Sequence, residues 1–91
     1  MCTYQNERVA MNASAKGGGE WFRATDANVY FDHPVHFSAG HALMIDVLNS
    51  SLGPASRVAL EMDATSARAL ALAILRSLES VAPSLLGHDE R

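Results

Sequence analysis

The chain has a single cysteine, Cys2, so no disulfide can staple it internally. No apolar run approaches the roughly 18 residues that a membrane-spanning helix needs. Charge is sparse: 19% of residues are charged against 48% hydrophobic, which excludes a disordered polyelectrolyte. Seven basic residues against ten acidic ones give a net charge of −3. That balance lacks the basic surplus of a nucleic-acid-binding surface, and it is too weakly acidic to single out a basic partner. The start, Met1 to Arg8, has no basic stretch followed by an apolar one, so it does not read as a secretory signal. A reducing cytoplasm is the expected setting. With 91 residues there is room for one core. A chain this small without disulfides is expected to draw stability from association or a bound metal.

What is present reads as strands followed by a helix. Residues 3–11 alternate loosely, with Val9 and Met11 on one side and Tyr4, Asn6 and Arg8 on the other. Asn12 to Glu20 reads as a turn region around Gly17-Gly18-Gly19. Residues 21–33 are rich in aromatic and β-branched side chains, and Pro34 closes that strand. Residues 41–48 put His41, Leu43, Ile45 and Val47 on one face, with Ala42, Met44, Asp46 and Leu48 on the other. A turn cluster follows, and residues 56–62 point Val58, Leu60 and Met62 inward, Arg57 and Glu61 outward.

Asp63 has the character of a helix N-cap, and residues 64–82 are strong helix formers. Ala67, Leu70, Ala71, Ile74, Leu75, Leu78 and Val81 fall on one broad arc, while Leu72 sits alone among Thr65, Arg68, Arg76, Glu79 and Ser80. Pro83 and Gly87 stop the helix, leaving a frayed tail over residues 83–91. The expected fold is a single α+β domain: a curled four-stranded antiparallel sheet followed by one C-terminal helix packed on one face. One helix covers only part of such a sheet, and the other face carries Tyr30, Met44, Leu48 and Ala59, mixed with Asp32 and Asp46. That face and the isolated Leu72 of the helix both predict a homo-oligomer, a dimer being the simplest.

The informative stretch is Asp32-His33-Pro34-Val35-His36-Phe37-Ser38-Ala39-Gly40-His41, which holds three of the four histidines. Neutral imidazole is a good ligand for zinc, iron, copper and nickel, and the spacing does not choose among them. Three such ligands with an open fourth position is the pattern of catalytic zinc. If residues 34–40 join two paired strands, His33 and His41 stand opposite each other. His36 then closes a third corner. Cys2 is a candidate fourth ligand. Asp32 and Asp46 are candidates to orient a ligand or to move a proton, although simple parity puts both on the alternate face.

The segments Met1-Cys2-Thr3-Tyr4, Trp21-Phe22, Tyr30 to His36, His41 with Leu43, Ile45-Asp46, Arg57-Val58-Ala59 and Ser66 to Ala71 resemble a family of very short actinobacterial proteins of unknown function. The resemblance spans nearly the whole chain. Its most specific parts are the M-C-T-Y opening and the D-H-P-x-H block. It implies a complete chain of bacterial origin and carries over no catalytic residue. The residues therefore lead to three readings. The first is a small cytoplasmic protein that binds a divalent transition metal through His33, His36 and His41, with or without enzymatic action on a small organic molecule. The second is a non-enzymatic dimeric binding or interaction module. The third is a metal-free isomerase, cyclase or lyase using His–Asp acid–base chemistry.

Overall fold

A computed structural model describes residues 5–87. Four strands, β1 (Glu7–Lys16), β2 (Trp21–Asp32), β3 (Ala42–Leu48) and β4 (Arg57–Met62), precede one helix, α1 (Ala64–Glu79). The strands form one antiparallel sheet in the order β1-β2-β3-β4, so each pairs with its neighbour in sequence. The fold is α+β, as the succession of strand-period and helix-period segments predicts.

The first strand is the main departure from expectation. The reading of 3–11 as strand and 12–20 as turn is corrected: β1 runs on to Lys16. Asn12, Ala13, Ser14 and Ala15 have weak strand propensity, but Ala13 to Lys16 pair with Ala24 to Trp21 across the sheet. Pairing outweighs propensity here. The register shifts between Ala10 and Ala13, a bulge that bends and twists the strand. The curl brings the end of β1 round to the far strand. A Cβ added at Gly17 would lie 2.9 Å from the Arg57 carbonyl oxygen, so only glycine fits there without displacing β4.

Strand alternation sorts the side chains as expected. In register, Phe31, Leu43 and Met62 lie abreast, as do Val29, Ile45 and Leu60. This face looks toward α1. The opposite face aligns Tyr30, Met44 and Glu61, and next to them Asn28, Asp46 and Ala59.

Asp63 caps α1: its side chain accepts a 2.7 Å hydrogen bond from the Ser66 backbone N–H. The helix ends at Glu79, and Ser80 closes it by donating its backbone N–H to the Arg76 carbonyl. Pro83–Leu85 form a separate 3-10 turn, so the expected helical span of 64–82 is too long at its C-terminal end.

The core is thin. Among the described residues the buried hydrophobic positions are Ala24, Ala27, Ala42 and Met44, and no large side chain is fully enclosed. No residue of α1 is buried. The helix lies over the sheet but stands off from it, leaving a cleft of about 540 Å3 walled by Val29, Phe31, Leu43, Ile45 and Met62 on one side and Ala67, Leu70, Ala71 and Ile74 on the other. No helix among the described residues is long and apolar enough to cross a membrane.

Candidate functional site

The β2–β3 connection starts from the register pair Asp32↔Ala42. His33 and His41 occupy the next step outward, beyond the last strand residues. They continue the face of Phe31 and Leu43, because side chains alternate along a strand. Their rings meet: the centroids are 4.4 Å apart, tilted by 41°. Phe31 stacks against His41, with ring centroids 5.8 Å apart and planes within 8°. The pair thus stands at the end of the apolar cleft, beside two of its wall residues, Phe31 and Leu43.

Asp32 serves this pair from a neighbouring position in the chain. Its Oδ1 accepts the His33 backbone N–H at 2.7 Å and lies 3.2 Å from His33 Nδ1. The His33 backbone bond, followed by the His33 ring, holds the Asp32 carboxyl below its ordinary value. Asp32 is therefore an anion near neutral pH. An Nδ1–H directed at Asp32 leaves His33 Nε2 with its lone pair outward, the arrangement typical of a metal-ligating histidine. The parity argument had set Asp32 on the wrong face for this contact. The carboxylate reaches the ring because the two residues adjoin where the strand has ended.

His36 goes elsewhere. Three successive backbone N–H groups, of Val35, His36 and Phe37, donate to the Glu61 carboxylate at 3.1, 2.9 and 2.8 Å. Glu61 belongs to the face opposite the histidine pair, so the connection folds back over that face. His36 Nδ1 lies 3.7 Å from Glu61 Oε2, with the side chain 87% exposed. Burial pushes the Glu61 carboxyl up, but the three backbone donors and His36 outweigh it, and the net shift is downward. Met44, aligned between Tyr30 and Glu61, is buried beside this anchored segment.

The expected convergence of three imidazoles is thus corrected to a pair. Among the described residues no group of three or more His, Cys, Asp or Glu side chains is arranged to hold a metal ion. Asp46 is also absent from the histidine pair. It accepts from Tyr30 Oη at 3.0 Å and from Arg57 Nη2 at 2.8 Å on the opposite face. Burial, followed by the Asp46 hydrogen bond, raises the Tyr30 phenol. Cys2, the candidate fourth ligand, lies outside the described residues.

Glu61 was not among the residues singled out from sequence. Its outward place on β4 looked like an ordinary solvated position. The signal that would have found it is the β3–β4 register, which sets Glu61 beside Met44, close to where the connection must return.

The model of a family of unknown function (DUF6295) matches residues 1–87, and the chain belongs to that family. No curated protein matches the chain. No solved structure matches it either.

Proposed function

We propose that this DUF6295 member is a small cytoplasmic binding protein that holds a divalent transition-metal ion between His33 and His41. The observation that carries the reading is the contact between these two rings, 4.4 Å apart at their centroids, from residues eight apart in sequence. Two imidazoles close together at a solvent-facing edge suit zinc, iron, copper or nickel. Asp32 adds a neighbouring negative charge that favours a cation and the Nδ1–H tautomer of His33.

A two-histidine clamp leaves coordination positions open. Water, a small organic molecule or a ligand from another chain would fill them. The adjoining cleft has the size and apolar lining of a small-molecule pocket, whose usual range is about 300–1,000 Å3. An ion at its end would supply Lewis acidity or an activated water to a molecule lying there.

Isothermal titration of tag-free protein with zinc, nickel and copper tests the reading. One ion per chain is expected, lost in His33→Ala and His41→Ala and kept in His36→Ala. Full stoichiometry in a His33→Ala/His41→Ala double variant overturns it.

A further inference from the structure

The flank of α1 beside the cleft carries a second pattern, independent of the metal. Arg68, Leu72, Leu75 and Glu79 follow each other at spacings of four, three and four residues. That is the seam spacing of two helices packed side by side. Both leucines are open, at 47% and 54% exposure. Arg68 and Glu79 take part in no ion pair among the described residues. We propose that α1 packs antiparallel against α1 of a second copy along this seam.

The order of residues dictates the direction. A two-fold axis between Ala73 and Ile74 brings Arg68 of one copy opposite Glu79 of the other, and Leu72 opposite Leu75. Each contact then occurs twice, as an isologous interface requires. A parallel, in-register pair would set Arg68 against Arg68 and Glu79 against Glu79, which like charges oppose.

Four strands span about 19 Å across the sheet, whereas one helix covers about 10 Å, and the flank of α1 is left open. The two-fold lays the partner's α1 along this flank, with the partner's sheet beside this one. Of the two features that predict association in the sequence, the open sheet face and Leu72 alone in the polar arc of the helix, this seam uses the second.

Sedimentation equilibrium on the untagged full chain in EDTA reads this without any contribution from metal. A dimer is expected. Arg68→Glu and Glu79→Arg should each weaken the dimer at least about tenfold by placing like charges together. The double reversal should restore it, with far-UV circular dichroism showing that every variant is folded. In a Cys2→Ser background, mixing Leu72→Cys with Leu75→Cys chains under oxidation should give the mixed disulfide. A strict monomer overturns the proposal. So does a dimer indifferent to both reversals, a double reversal that fails to rescue, or cross-linking only between like positions.

Discussion

His33 and His41 meet ring to ring at the end of the β2–β3 pair, one step past Asp32↔Ala42, while His36 between them is carried to the opposite face by Glu61. One short connection therefore performs two tasks. Its ends present imidazoles to the cleft, and its middle clasps the far face of the sheet. The clasp fixes the path of the connection and so helps fix the spacing of the two rings.

The clasp depends on the Glu61 charge, and its pH dependence has a definite sign. The folded protein holds this carboxyl below its ordinary value, so the stabilisation is full above about pH 4.3, the usual glutamate pKa. It is lost as pH falls through the lower folded value, where the carboxylate takes up a proton. The protection of the Val35, His36 and Phe37 amides against exchange, relative to their intrinsic rates, should fall over that window. In Glu61→Gln these amides should exchange faster at neutral pH and lose the acid step. Unchanged protection in the variant would remove the clasp.

Gly17 should not tolerate a side chain. Its Cβ would press on the Arg57 carbonyl, and backbone cannot swing aside as a flexible side chain can. Gly17→Ala should cost about 1–3 kcal/mol in chemical denaturation. Gly18→Ala and Gly19→Ala, which meet nothing within 4 Å, should not show this steric cost.

Met44 is the one long side chain in the buried set. Met44→Ala should destabilise by about 2–5 kcal/mol, the usual cost of emptying a core position. Leu85, 73% exposed, should change stability by less than about 0.5 kcal/mol when cut to alanine.

Asp46 joins Tyr30 to Arg57, and its loss strips both of a charged partner. Asp46→Asn should lower stability by about 1.5–3 kcal/mol, the range for hydrogen bonds to charged groups. It should also lower the Tyr30 ionisation midpoint, read by ultraviolet absorbance, because the neighbouring carboxylate helps hold the phenol neutral. Metal binding by the variant should be unchanged.

Much of this architecture is legible in the residues. The alternation of Leu43, Ile45 and Val47, and the Asp63 cap, reveal β3 and the start of α1 because each is a local pattern with a local cause. The His33–His41 contact follows from counting parity on either side of Pro34. The second half of β1 does not, since Ala13 to Ala15 become strand only through partners 7–11 positions away. The fate of His36 was hidden for a similar reason: no local rule reports that three consecutive N–H groups will find Glu61, 24–26 residues further along.

Anomalous scattering from crystals grown with zinc tests the two-histidine clamp most directly. The account predicts one strong peak within ligand distance, about 2.0–2.1 Å, of a ring nitrogen of His33 and of His41. Crystals whose His33 and His41 rings carry no peak, or whose zinc sits on His36 instead, would contradict it.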